Sequence, residues 1–409
     1  MSVLRYYEDE LAYLRELGDA FGRANPQVAG LLSKQASDPD VERLLEGFAF
    51  LTSRLRARLD EQLPELSQGM LALLWPHYLR PVPSMSIVEF QPSETGMPVR
   101  LPAGTALESR PVEGIACQFR TALDQAVIPG RVTGATLQEF AASARLDLTL
   151  TPLPSGRGAS LVENGLRLFI HDRSGSRLGV RLLAALLTEV DRVELWDGSN
   201  SVVLPGAALR QGGLAAEDAV LPWPGGAFPG YRILQEYLAF PERFQFVDLP
   251  PVAGLSARVV GQPLEIRIQF RRPLDLPGRV TAELFRANCG PVINLREMSA
   301  EPIRPERDHV EYRLTPASAA GRYARVHSVL SVRGAIQGQA ERVEFSPFET
   351  MRHLGAGAAP VYYRLHQRPA VLGRGVETWI TFVDDQDRAL VPRVDSLSIQ
   401  LLCTDGELA

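Results

Sequence analysis

The residues from Asp38 to Met85, DPDVERLLEGFAFLTSRLRARLDEQLPELSQGMLALLWPHYLRPVPSM, decide how the chain divides. Asp38 suits an N-cap, Pro39 suits the first helical position, and Asp40 adds a carboxylate where the helix dipole favours one. Val41, Leu44, Leu45, Phe48, Leu51, Leu55, Leu59 and Leu63 then recur at three- and four-residue steps, which predicts one long helix with a single buried stripe. Charged residues such as Glu42, Arg43, Glu46 and Arg54 fill the other faces. Pro64 restarts the pattern, and Leu66, Met70, Leu73 and Leu74 carry a second apolar helix to Trp75-Pro76. Pro81 and Pro83 then close the helical region.

Upstream, Leu4, Tyr7, Leu11, Leu14 and Phe21 alternate three- and four-residue intervals with Gly18 in the remaining seam position, which is coiled-coil spacing over three heptads. Asn25-Pro26 ends that helix, because the residue before proline is pushed out of the α region. A short helical piece from Gln27 to Lys34 bridges to Asp38. The first 82 residues are therefore predicted to be helical. They form either an ordinary hairpin core or a bundle that a partner completes. Aromatic residues are enriched at interfaces, and Tyr6, Tyr7, Tyr13, Trp75 and Tyr78 favour the partner. The candidate interface residues are Tyr7, Leu11, Leu14, Leu51, Leu55, Trp75, His77 and Tyr78.

From Arg80 onward the texture changes to short β-prone runs broken by proline and glycine. Gly165–His171 reads as a strand, Arg177–Glu189 as a helix, and Val190–Trp196 as a strand turning at Asp197-Gly198 into Ser201–Leu204. Tyr231–Tyr237 and Val280–Asn288 read as short helices. Strands follow at Val310–Leu314, Ala324–Val332, Arg342–Phe345, Val361–Leu365, Glu377–Val383 and Ser396–Leu402. Gly355–Ala359 and Gly373–Gly375 read as turns. The expected class is α+β: a helical region over 1–82, a β-rich connecting domain over 83–159, a small α+β domain over 160–252 and a β-rich domain over 253–409.

The 409 residues are 45% hydrophobic and 22% charged, as in an ordinary globular protein. A net charge of −5 gives no basic footprint for nucleic acid or an anionic membrane. Lys34 is the only lysine, which excludes a GxxxxGK[ST] phosphate loop. Three widely spaced cysteines, Cys117, Cys289 and Cys403, argue against a disulfide framework and suit a reducing compartment. The first residues lack the apolar core of a signal peptide, and no run reaches the roughly 18 apolar residues of a membrane span. A cytoplasmic location is expected.

No G-x-S-x-G or H-E-x-x-H motif is present. The Asp308-His309-Val310-Glu311 run offers two metal-ligand types on one strand face, but nothing nearby supplies a third. Asp384-Asp385-Gln386-Asp387 lacks the glycine and distal glutamate of a calcium loop and reads as a polar turn. Cys289 has no activating base in sequence reach and reads as a buried thiol. No catalytic, cofactor or metal residue is expected.

Several stretches resemble the TssF family of type VI secretion baseplate subunits. They are YYEDELAYLRELGDAF, DPDVERLLEGFAFLTSRLRARLDE and WPHYLRPVPSM in the helical part. GYRILQEYLAFPERFQFVDL, NCGPVINL, EPIRPERDHVEYRL and LLCTDGEL follow, so the resemblance runs from Tyr6 to Cys403. Gly290 in NCGPVINL departs from the Thr usual there, and family members continue beyond the LLC motif, so a C-terminal portion is expected to be missing. The resemblance implies a non-enzymatic wedge subunit with a fold similar to wedge proteins of contractile phage tails. It implies assembly with TssG, a second TssF copy, TssK and TssE around the VgrG hub, beneath the TssB–TssC sheath. The site would be a membrane-docked baseplate of a Gram-negative bacterium. A baseplate protein of a phage tail or tailocin, and a β-rich effector acting on carbohydrate or peptide, are the alternatives.

Overall fold

The computed structural model describes residues 3–25, 27, 39–62, 70–71, 74–75, 78–92, 97–112, 114–173, 175–223, 228–255, 260–307, 309–317, 324–348, 361–369 and 376–406. The chain forms two compact units, Met1–Leu79 and Arg80–Ala409.

In the first unit, helices α1 (Val3–Ala24) and α2 (Pro39–Gln62) pack against each other. The end of α1 and the start of α2 fall where Asn25-Pro26 and Asp38-Pro39 place them. Their polar edges are tied by a two-bond contact from the Arg15 guanidinium to the Glu42 carboxylate, at 3.1 and 3.0 Å. Both side chains are solvated, so the pair aligns the helices more than it stabilises them. The bridging piece from Gln27 to Lys34 lies outside the described residues apart from Gln27. Most of the second apolar helix after Pro64 also lies outside them.

The second unit is β-rich, as the α+β reading expects. Ala144–Pro152 and Leu264–Phe270 each alternate fully buried with half-buried positions, the period-two signature of a strand with one face in a core. They pair antiparallel in a five-stranded sheet whose spatial order is Ser201–Pro205, Val190–Trp196, Leu264–Phe270, Ala144–Pro152 and Gly130–Glu139. Helix α3 (Leu178–Thr188) buries Leu182, Leu183 and Leu186 in the core that this sheet supplies. A seven-stranded sheet carries a second core around Val332, Phe345, Phe382 and Leu401.

The expected segments 83–159, 160–252 and 253–409 exchange strands. The five-stranded sheet draws on all three, and Met85–Glu89 pairs with Cys289–Ile293 about two hundred residues away. The hairpin at Asp197-Gly198 forms as read, with Gly198 at φ 91° and the Asp197 carboxylate accepting the Ser199 and Asn200 amides. Val280–Asn288 is not a helix. A single 3₁₀ turn at Ala282–Leu284 leads into strand Phe285–Arg286, which pairs with Leu166–Ile170. Leu284, Phe285 and Ala287 are all buried, and a sheet edge captures a run too short to hold a helix alone. The glycine turns at 355–359 and 373–375 lie outside the described residues.

Candidate functional site

Only part of the expected stripe of helix α2 is covered, on the side of Val41 and Leu45. Ala49 and Ser53 are 0% exposed, and Val41, Leu45 and Thr52 are half-buried beside them. Leu44, Phe48, Leu51 and Leu55, expected in the buried stripe, are 74%, 57%, 61% and 61% exposed. The reason lies in what one neighbour can cover. Among the described residues α1 is the helix that shields α2, along one narrow arc, and close helix approach selects small residues there. Leu45, Ala49 and Thr52 repeat at the four- and three-residue steps of a two-helix seam, matching Tyr7, Leu11, Leu14 and Gly18 on α1. The hydroxyls on this face bond within the helix, Thr52 to the Phe48 carbonyl at 2.7 Å and Ser53 to the Phe50 carbonyl at 2.8 Å.

The sequence-derived interface residues therefore separate. Tyr7, Leu11 and Leu14 are half-buried along the seam of α1, whereas Leu51 and Leu55 stand in solvent. Trp75 is half-buried with its ring 5.3 Å from that of Tyr78, which is exposed. His77 lies outside the described residues. Phe48 and Leu44 extend the uncovered stripe and were expected in the buried stripe, not at the interface. Their periodicity pointed to burial, and only the packing of α1 reveals which arc is taken.

The second unit holds its charges in closed networks. Helix α4 (Pro229–Ala239) buries Glu236, whose Oε1 accepts the Val220 and Leu221 amides, both at 3.0 Å. Its Oε2 meets Arg232 Nη1 at 3.3 Å and Arg243 Nε at 2.6 Å. The guanidiniums go on to the Ala215 and Gly213 carbonyls. Burial pulls the Arg243 guanidinium below its usual pKa, and the Glu236 carboxylate opposes that shift. Nearby, Arg167 forks onto Asp248 with two 2.7 Å bonds and reaches Asp218 at 3.0 Å. Burial alone would lower its pKa, but the two carboxylates raise it overall. Arg167 lines an open cleft of about 540 Å³ together with Arg100 and Asp124, which pair at 2.6 Å. Each cation of the cleft is already neutralised.

The residues weighed for metal binding do not converge. His309 sits 3.3 Å from Glu306, while Glu311 faces Arg368 at 2.8 Å and His366 at 3.7 Å. Asp308 lies outside the described residues. Asp384 accepts the Gln386 and Arg388 amides, closing the polar turn expected there, and these backbone bonds lower its pKa. Among the described residues, no three acidic, histidine or cysteine side chains gather as metal ligands. No helix among them is long and apolar enough to cross a membrane.

Comparison with known proteins shows what the chain is similar to. A family model described as "Type VI secretion system, TssF" matches residues 1–409. The chain is 33% identical to "Type VI secretion system component TssF1" of Pseudomonas aeruginosa, over 99% of this chain and 71% of that protein. A cryo-electron microscopy structure of the type VI TssK-TssF-TssG baseplate subcomplex contains a chain 28% identical, with a TM-score of 0.72. The match covers 90% of this chain and 68% of that one. A chain in a structure of the baseplate complex from the type VI secretion system is 29% identical with a TM-score of 0.55, covering 100% and 72% of the two chains.

Proposed function

The chain belongs to the TssF family of type VI secretion baseplate subunits, and from that premise we propose that it is a non-enzymatic wedge subunit whose uncovered α2 stripe is sealed by neighbouring subunits. The observation that carries this reading is the exposure of Leu44, Phe48, Leu51 and Leu55 on one side of a helix whose other side is already packed. Covering one such leucine contributes about 1.5–3 kcal/mol, so four contiguous apolar side chains are a strong drive to associate. TssG and TssK, named with TssF in the related subcomplex, are the partners of this proposal. A second copy, TssE, the VgrG hub and the TssB–TssC sheath complete it, in a membrane-docked baseplate of a Gram-negative bacterium. On this reading residues 1–82 are the assembly element and the β-rich remainder is the scaffold that carries it.

The test is recovery of the complex. Leu51→Asp with Leu55→Asp should leave the isolated chain folded by circular dichroism and abolish co-purification with TssG and TssK. Undiminished recovery of a folded double variant would overturn the proposal.

A further inference from the structure

The open cleft of the second unit carries more negative charge than its own cations neutralise. Its lining joins the ribbon of Val99–Leu101 and Gln125–Val127 to the ends of strands Leu166–Ile170 and Phe246–Leu249. Four carboxylates line it, those of Asp124, Glu217, Asp218 and Asp248, against the two guanidiniums of Arg100 and Arg167. That leaves a formal excess of two negative charges. Arg167 is divided between Asp248 and Asp218, and Arg100 is held by Asp124. Exposed Glu217 has no ion-pair partner among the described residues.

The acceptors are fixed in place. Asp218, 8% exposed, accepts the Gly213 amide at 2.8 Å with one oxygen and Arg167 at 3.0 Å with the other. Asp124 accepts the Ala103 amide at 2.9 Å. Gln125 also lines the cleft and is 4% exposed. Its Nε2 turns back to the Ala126 carbonyl at 3.2 Å, while its Oε1 takes no hydrogen bond among the described residues. A buried amide oxygen is costly to leave without a donor.

These features select the ligand. The charge excess disfavours an anion. A divalent metal ion needs convergent ligands, and among the described residues no three acidic, histidine or cysteine side chains gather as such. An organic cation fits. A guanidinium carries five N–H donors in a rigid plane and no acceptor, so it can reach several separated oxygens at once, whereas an ammonium is a compact point charge. Buried Leu123, Ile128, Leu166 and Leu249 give the aliphatic stem of an arginine an apolar bed. At about 540 Å³ the cleft has room for a side chain with its flanking backbone. Free arginine would bring its own carboxylate against the negative excess. An arginine within a chain brings none.

We propose that this cleft receives an arginine side chain presented by a partner protein, with Glu217 as its counter-ion and Asp218, Asp248 and Gln125 as fixed acceptors. It is an interaction surface made by other residues than the α2 stripe, and it stands or falls separately from that reading.

The experiment titrates the whole chain with an acetylated, amidated Gly-Arg-Gly tripeptide, followed by calorimetry or by NMR of the peptide. Saturable binding is expected, weaker with lysine in place of arginine and lost with citrulline, which keeps the shape without the charge. Binding should also weaken as salt rises. Glu217→Gln should weaken it about threefold to fivefold and Glu217→Arg by about tenfold or more, in variants that remain folded by circular dichroism. Free arginine should bind less well than the tripeptide. No saturable binding to the wild-type chain, equal binding of the citrulline peptide, or unchanged binding to a folded Glu217→Arg variant overturns the proposal. Free arginine that binds as tightly as the tripeptide overturns it too, since the cleft would then serve a small molecule.

Discussion

Arg296 Nη2 donates to Asp405 Oδ1 at 2.7 Å, joining residues 109 positions apart. The other carboxylate oxygen accepts Asn294 Nδ2 at 2.8 Å and the Gln118 amide at 3.2 Å, while Asn294 Oδ1 takes the Thr404 hydroxyl and the Asp405 amide. One buried knot thus ties the last strand of the seven-stranded sheet to the four-stranded sheet containing Gln118–Thr121 and Cys289–Ile293. Asp405→Ala should lower stability by about 3 kcal/mol, because it strands Arg296 and several donors in a site closed to water. Urea unfolding followed by tryptophan fluorescence checks this, with a lower midpoint as the expected result.

Replacing Glu236 by Gln should cost about 3–5 kcal/mol, since two buried guanidiniums lose their counter-charge while shape is kept. Substituting Glu236, Arg232 and Arg243 together with apolar residues of similar volume should return most of that loss. Denaturant midpoints of the single and triple variants measure both effects. A triple variant no better than the single would show that the backbone bonds, and not the charges, hold α4.

The two faces of α2 should answer substitution oppositely. Ala49→Leu overfills the seam with α1 and should destabilise the hairpin by about 1–3 kcal/mol. Phe48→Ala should change the stability of the isolated chain by no more than about 0.5 kcal/mol, because that ring stands in solvent. Thermal melts monitored at helical wavelengths distinguish the two.

Cys117, Cys289 and Cys403 are buried, and none of them is in a disulfide. Burial is the chief cause that pushes the Cys289 and Cys403 thiols up to about 12, and Cys117 is raised as well. A thiol with a raised folded-state pKa favours the folded protein fully below the ordinary thiol range. That contribution is lost as pH climbs from about 8.5 towards 12. Native protein at pH 8 should therefore leave all three cysteines unlabelled by an aromatic disulfide reagent, while denatured protein reacts at all three. Stability should fall through the alkaline window.

The helical front was legible because capping and proline signals are local: Pro39 starts α2 and Asn25-Pro26 ends α1 where local chemistry demands. Which face of α2 is covered was not legible. Leu44 and Leu45 are equally apolar, and only the position of α1 chooses between them. Alternating strands such as Ala144–Pro152 announce themselves, but their partners do not, since pairing across a hundred residues leaves no short-range mark. Asn288 illustrates the limit. Its left-handed φ of 59° and its amide bonds to Ile128 and Gly130 explain NCGPVINL, yet those partners lie far back in the chain. Gly290 leaves room for Gln125, whose Oε1 a Cβ there would approach to 2.6 Å. The reversed polarity of α4 was invisible for a similar reason: an Arg and a Glu four residues apart usually mark a solvated face.

The placement of Leu264–Phe270 between Val190–Trp196 and Ala144–Pro152 has a consequence for biosynthesis. A nascent chain that has just emitted Trp196 holds two greasy ribbons with facing, unfilled rims, and the strip that fits between them has yet to be translated. At about 5–20 residues per second the wait is roughly 3 to 14 seconds. During that interval the two rims stand open to capture by any other exposed strand edge.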